Sequence, residues 1–288
     1  MSWRAKIACL LLVLFTIQAV VGACASGNEG GPSGAVEGLK QIPSDWQSFL
    51  YVDLAHLRND FDLRPLYDAL RSSIGGDLSS VGISSSDVNT VFVGTSASGQ
   101  NYGIVSGNLD FANIRKVLQD GGAEKTEYMS IETWTEREQG QTQVMVFARG
   151  AISAGAYDAA REYIEVIAGK AKSLYDDNDV RDVVYRLPNT AVAATVATGG
   201  DSFPTDETNC VAVAYAFHKI DAQTLELTCV GKFTDSTNAA SSLSDFKLWS
   251  SNQVSYNLEN VQSVQEGQFI KLTATLPISE IGNGATSS

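Results

Sequence analysis

The sequence predicts an α+β protein of two similar halves, each a mainly antiparallel sheet with helices packed on it, joined by a helical linker. Three observations lead there. Short β-branched or aromatic runs bounded by Gly, Asn, Asp or Ser recur along the chain. Amphipathic segments of helical period lie between them. One order of elements (three strands, a capped helix, two strands) occurs twice.

From the N-terminus, Arg4 and Lys6 precede an apolar run, Ile7 to Val21, that leads into Gly22-Ala23-Cys24. A basic start, an apolar centre and small residues before a cysteine make a bacterial secretion signal of the lipoprotein kind, expected over residues 1–23. Gly22 and Ala23 leave room for a peptidase at the backbone, and Cys24 is the expected lipidation site. A transmembrane anchor needs about 20 apolar residues; this run is shorter and broken by Thr16 and Gln18. Free secretion with cleavage after Ala23 or Ala25 also fits. A diacylglycerol plus a fatty acid on Cys24 exceeds the two signals that stable anchoring needs. Residues 24–40, including the Gly/Ser-rich Ala25–Gly38, read as a flexible tether.

The first half is placed at 41–170. Its strands are expected near Phe49–Leu54, Val88–Val93, Gly103–Asn108, Tyr128–Trp134 and Val144–Ala148. Helices are expected at Arg64–Ile74 and Phe111–Gln119, the second capped by Asp110 and ended by Gly121-Gly122. A longer helix, Tyr157–Leu174, sets Tyr157, Ala160, Ile164, Ile167, Ala171 and Leu174 on one side, with Arg161, Glu162, Glu165 and Lys170 towards water. A helical linker at 171–189 carries Val180–Arg186. The second half, 190–288, has strands at Ala191–Ala197, Val211–Phe217, Leu225–Lys232, Val254–Leu258 and Phe269–Leu276. Its helix, Thr237–Trp249, is capped by Asp235. Only the first half inserts a helix between its opening strands.

With Cys9 in the leader and Cys24 acylated, Cys210 and Cys229 are left in an exported protein, where a disulfide is expected. Pairing them in antiparallel register also pairs Ala212 with Leu227 and Ala214 with Leu225, leaving His218–Asp221 as the loop. Cys210, Ala212, Ala214, Ala216, Leu225, Leu227 and Cys229 then share one face. Two buried thiols side by side would follow from the same register. A CxxC redox motif is missing.

The 288 residues are 44% hydrophobic and carry a formal charge of −13. Losing the leader removes two basic residues and no acidic one. This balance argues against nucleic acid and against a face lying flat on anionic lipid.

Chemical motifs are weak. Gly94-Thr95-Ser96-Ala97-Ser98-Gly99 misses G-x-S-x-G by one residue and reads as a hairpin turn. Ser244–Lys247 fits S-x-x-K without its Lys-Thr-Gly partner. His56 with Asp53 and Asp60 would be part of a metal set at most, and His218 reads as a solvated loop residue. Asp176-Asp177-Asn178-Asp179 lacks the glycine and glutamate of an EF-hand, and Asp177 or Asn178 as a helix cap explains it. No catalytic, cofactor or metal residue is assigned.

Taken together, the tethered start, Ile42-Pro43-Ser44-Asp45 before a strand, and the SGNLD strand-to-helix step resemble a large bacterial family. Its members are exported or membrane-anchored proteins grouped as a domain of unknown function. Ser173-Leu174-Tyr175-Asp176-Asp177, Val180 and the Leu187-Pro188 pair are similar too. The resemblance covers about residues 41–281 and implies a duplicated α+β fold outside the cytoplasm, with no catalytic residues to carry over. The cysteine pair and the short C-terminal end depart from it.

The leading expectation is a non-catalytic, lipid-anchored extracytoplasmic module. It would touch the membrane through Cys24 and bind an envelope protein partner, or serve a structural role, at a groove between the halves. The alternatives are a secreted hydrolase using paired carboxylates and a solute-binding lipoprotein of a transporter.

Overall fold

The computed structural model describes residues 33–138, 141–199, 209–252 and 258–279. Twelve strands are found among them. In chain order they are β1 (Ser48–Asp53), β2 (Val88–Thr95), β3 (Asn101–Gly107), β4 (Glu124–Tyr128), β5 (Ile131–Glu138) and β6 (Gln141–Ala148). Then follow β7 (Ala151–Ala156), β8 (Ala193–Thr198), β9 (Cys210–Lys219), β10 (Thr224–Phe233), β11 (Glu259–Glu266) and β12 (Phe269–Pro277). The helices are α1 (Ser33–Leu39), α2 (Leu54–Asn59), α3 (Arg64–Ser80), α4 (Phe111–Asp120), α5 (Tyr157–Ile167), α6 (Asn178–Val184) and α7 (Ser236–Asn252).

Local chemistry starts several of these helices where the sequence predicts. Asp110 accepts from Ala112 and Asn113 N–H at 3.1 and 3.0 Å. Asp235 does the same for Thr237 and Asn238, both at 2.8 Å. Asp177 caps α6 through Asp179 and Val180. Each carboxylate satisfies first-turn donors that have no partner within the helix.

All strands join one antiparallel sheet, ordered β11-β12-β10-β9-β8-β1-β2-β3-β7-β6-β5-β4. The α+β class with a mainly antiparallel sheet is as predicted, but the two sets of strands share their sheet. β1 pairs with β8, Tyr51 facing Ala194. Outward from this pair, β1-β2-β3-β7-β6 matches β8-β9-β10-β12-β11, and the first set adds the hairpin β4–β5. No groove separates the two sets of strands at this junction.

Both faces are covered. One buries Leu54 and Leu57 of α2, Leu63 and Tyr67 at the start of α3, Ile114 and Leu118 of α4 and Ala239 of α7. The other buries Ala35 and Leu39 of α1, Tyr163 and Ile164 of α5, and Val180, Val183 and Val184 of α6. On this second face the central strands present Ala194, Ala212, Ala214 and Ala216. Small side chains there let helices approach closely, and the larger Val213, Phe217, Leu225 and Leu227 fill the first face.

Several sequence expectations are corrected. Residues 33–39, expected within the tether, form α1: Ala35 and Leu39 lie one turn apart and are fully buried. Gly38 lets the helix down onto the sheet, since a Cβ there would lie 2.6 Å from Phe49 and Phe92. The single strand expected at Tyr128–Trp134 is a hairpin, turned at Met129 and Ser130, both with positive φ. Helix α5 stops at Ile167 because Gly169 takes a φ of 70° and the chain leaves the helix. Strand β7, helix α2 and strand β11 are additional to the elements the sequence predicts, and most of the strand expected at Val254–Leu258 lies outside the described residues.

The largest correction concerns β9 and β10. Cys229 faces Tyr215, Cys210 faces Phe233, and Leu225 faces Lys219. Cys210 and Cys229 are buried thiols, not a disulfide. The turn shifts to Ile220–Gln223, closed by Ile220 N–H to Thr224 O at 3.1 Å and by Gln223 N–H donating to Asp221 Oδ1 at 2.8 Å. The slip is odd in number, so the alanines of β9 and the leucines of β10 face opposite ways.

Candidate functional site

Helix α5 crosses the second face only as far as β6, and beyond it the outer strands carry threonines rather than aliphatic residues. Thr126 on β4, Thr133 and Thr135 on β5 and Thr142 on β6 point to the same side, because the register sets Thr126 opposite Thr133 and Arg137 opposite Thr142. The result is a groove of about 410 Å³ between these strands and Tyr157, Ala160, Arg161 and Ile164 of α5. That volume suits a small ligand. Thr126 Oγ1 and Thr133 Oγ1 are 2.7 Å apart across the floor.

One wall is built around Arg161. Its guanidinium lies 5.1 Å from the Tyr128 ring centre and 6.0 Å from that of Tyr157, and it donates to the Tyr128 hydroxyl at 3.2 Å. Tyr128 in turn donates to Glu165 Oε1 at 3.0 Å. The hydrogen bond to Tyr128 leads the contacts that hold the Arg161 pKa above its usual value. A cation held over tyrosine rings is fixed in direction, and Arg161 Nη2 also lies 3.9 Å from Glu165 Oε1. Tyr157, predicted on the buried side of its helix, is 45% exposed at the rim, and Tyr163 takes the buried place.

On the opposite face the same hairpin is tied down. Arg115 Nε and Nη2 donate to the two Glu132 oxygens at 2.7 and 3.2 Å, and Trp134 Nε1 donates to Glu132 Oε1 at 2.7 Å. Burial alone would raise the Glu132 pKa. The donors from Arg115, Trp134 and Lys125 outweigh it and bring the value to about 2. This carboxylate stays charged, the reverse of what a general acid requires.

The other carboxylates singled out in the sequence are engaged in structural roles. Asp53 caps α2 through His56 N–H at 2.8 Å, while His56 is exposed. Asp60 is drawn away to Lys219, whose Nζ lies 2.8 Å from both of its oxygens and 2.5 Å from Asp62 Oδ2. Among the described residues no group of three His, Cys, Asp or Glu is placed to hold a metal. Asp176 bonds Ser173, and Asp179 reaches Lys232 on β10 at 2.6 Å. His218, expected in a solvated loop, lies within strand β9 opposite Glu226 and is only 6% exposed, a burial that lowers its pKa. Ser96–Gly99 forms the expected β2–β3 turn, closed by Gly99 N–H to Ser96 O at 2.9 Å. Burial, with the Cys210 thiol nearby, pushes the Cys229 pKa well above the ordinary thiol range, so it is an inert core group. Cys24 and the Lys247 side chain lie outside the described residues.

Sequence reasoning missed the groove. Thr126, Thr133, Thr135 and Thr142 are scattered in the chain, and only the unforeseen turn at Met129-Ser130 brings them to one side. A signal existed in the alternation Thr133-Trp134-Thr135, which places the threonines opposite a core residue.

Fold and groove define an α+β protein with a hydroxyl-lined surface groove near one edge of a continuous antiparallel sheet. Among solved structures the chain is similar to crystal forms of TP0453. Form III shows 12% identity and a TM-score of 0.49, covering 90% of this chain and 97% of that one. Form IV shows 13% and 0.48, covering 88% and 100%. Form I shows 10% and 0.46, covering 90% and 96%. Likeness at this level says nothing about activity. No protein-family model and no curated protein sequence matches the chain.

Proposed function

We propose that the protein is an extracytoplasmic binding module, held to the membrane by lipid on Cys24, that receives a polar ligand in the groove beneath α5. The observation that carries this reading is Arg161, fixed over Tyr128 and Tyr157 above a floor of threonine hydroxyls and methyls. Such a wall and floor offer hydrogen bonds and an oriented charge, and Glu124, Glu127 and Arg137 add further charged groups to the lining. The resemblance to exported proteins of unknown function agrees with this placement. The solute-binding alternative draws less support, because the two strand sets share one sheet. For a hydrolase, the carboxylates singled out above cap helices or hold cations, and Glu124 and Glu127 in the groove are the pair a turnover assay would test.

The test is an NMR titration of threonine methyl groups with two probes, an N-acetylglucosamine oligomer and a short peptide. Shifts confined to Thr126, Thr133, Thr135 and Thr142, and lost in Arg161→Ala, are expected with one of the two. Turnover of either probe, or shifts unaffected by Arg161→Ala, would reject a non-catalytic site at this place.

A further inference from the structure

One end of the central sheet gathers features that the groove does not use. Asp53 N–H donates to Val192 O at 2.8 Å and Val192 N–H to Phe217 O at 2.6 Å, so the ends of β1 and β9 and the start of β8 lie side by side. Thr224 faces Pro277, which brings the end of β12 to the same level. Two large apolar side chains stand out from this end: Phe61, 91% exposed, in the α2–α3 connection, and Ile220, 44% exposed, after β9.

Phe61 is presented, not merely loose. Its neighbours Asp60 and Asp62 are both bonded to the Lys219 ammonium, and Asp62 N–H donates to Asp60 Oδ1 at 2.9 Å. Both flanking side chains are thereby held to β9 while the ring between them faces water. A concavity of about 990 Å³ beside it is lined in part by Pro65, Ala222, Pro277 and Ile278.

Helix α1 has its first turn at this end. A Cβ on Gly34 would overlap the Tyr51 hydroxyl, which itself donates to Asp53 Oδ2 at 3.3 Å. Gly38 lies over Phe49 and Phe92, so α1 runs antiparallel to β1 and its first turn sits by Asp53. Eight residues, 25–32, separate that turn from Cys24. At full extension they reach about 30 Å.

We infer that this end of the sheet rests on the bilayer that holds the acylated Cys24, with Phe61 and Ile220 in contact with the lipid interface. The inference depends on the lipid-anchor reading. A ring this exposed gains by leaving water, by about tenfold or more in local equilibrium. Two apolar side chains alone would not hold a protein to a membrane, but a short tether raises their effective concentration at it. Asp60, Asp62, Asp68 and Asp221 outnumber Arg64 and Lys219 here, so the contact suits neutral rather than anionic lipid. Met129 is also exposed at this level of the strands. It lies five strands from β1 and is turned away by a twist of about 20–25° per strand.

The experiment uses the full acylated chain in phosphatidylcholine vesicles containing a nitroxide-labelled lipid. An environment-sensitive fluorophore is attached at Phe61→Cys, and for comparison at Ala97→Cys, in the exposed turn at the opposite end of β1; the buried Cys210 and Cys229 do not compete. A blue-shifted emission quenched at position 61, with position 97 unaffected, is expected. Equal behaviour at the two positions overturns the inference, as does a blue shift at 61 that the lipid nitroxide leaves unquenched, the result of a second copy of the chain covering position 61. The intact mass of the same preparation reads acylation: an unmodified Cys24 sinks the anchor reading and this inference together. An acylated chain without quenching sinks the inference alone.

Discussion

Lys232 on β10 places its ammonium 2.6 Å from Asp179 Oδ1 and 2.7 Å from Asp182 Oδ2, both on α6, while its own side chain is only 9% exposed. A helix between the two strand sets is thus pinned to the sheet by one nearly buried cation. Arg186 stacks on the Phe269 ring at 3.8 Å beside it.

Two variants separate the cation from its partners. Lys232→Met keeps the apolar stem and leaves two half-exposed carboxylates in water, so it should cost no more than about 1.5 kcal/mol. Asp179→Asn with Asp182→Asn strands a buried ammonium and should cost about 3 kcal/mol. Burial lowers the Lys232 pKa, but the two aspartates outweigh it and the net shift is upward. The contribution is therefore complete below the unfolded value of about 10.4 and disappears as pH rises through the folded one. Urea unfolding should show a constant gap between wild type and the double variant from neutral pH to about 9, closing above about 10.4. A gap that closes on acidification through neutral pH would contradict this.

The β9–β10 register predicts the chemistry of its thiols. Cys210 and Cys229 should resist an aromatic disulfide reagent in the native protein and react on denaturation. A reducing agent should leave the unfolding midpoint unchanged. A midpoint lowered by reduction would restore the pairing that the register denies.

Helix α1 predicts the energetics of residues 33–39. Leu39 is fully buried against the sheet, so Leu39→Ala should destabilise by about 2–5 kcal/mol. The exposed neighbour Glu37 is the control, and Glu37→Ala should stay within about 0.5 kcal/mol. Equal, small effects would mean that α1 is not docked.

The parts of the fold legible in the sequence are those fixed within a few residues. Asp110, Asp177 and Asp235 announce helix starts because a carboxylate reaches only its own next two or three N–H groups. The wrong register of β9 and β10 has an equally physical origin. Residues 211–217 are apolar at every position, so the pattern does not say which face is which, and a slip by an odd number costs nothing visible locally. The site was less legible still: Arg161 reads as a solvated helix residue until Tyr128, far away in the chain, is folded against it.

The sequence by itself determined the α+β class, the helix caps and most strands, since these follow from side-chain periodicity and short-range hydrogen bonds. Tertiary structure alone decided that β1 joins β8, that alanines face α6, and that four threonines meet beneath α5. Those outcomes depend on which surfaces pack closely at long range, and residue order carries that information only through the completed core.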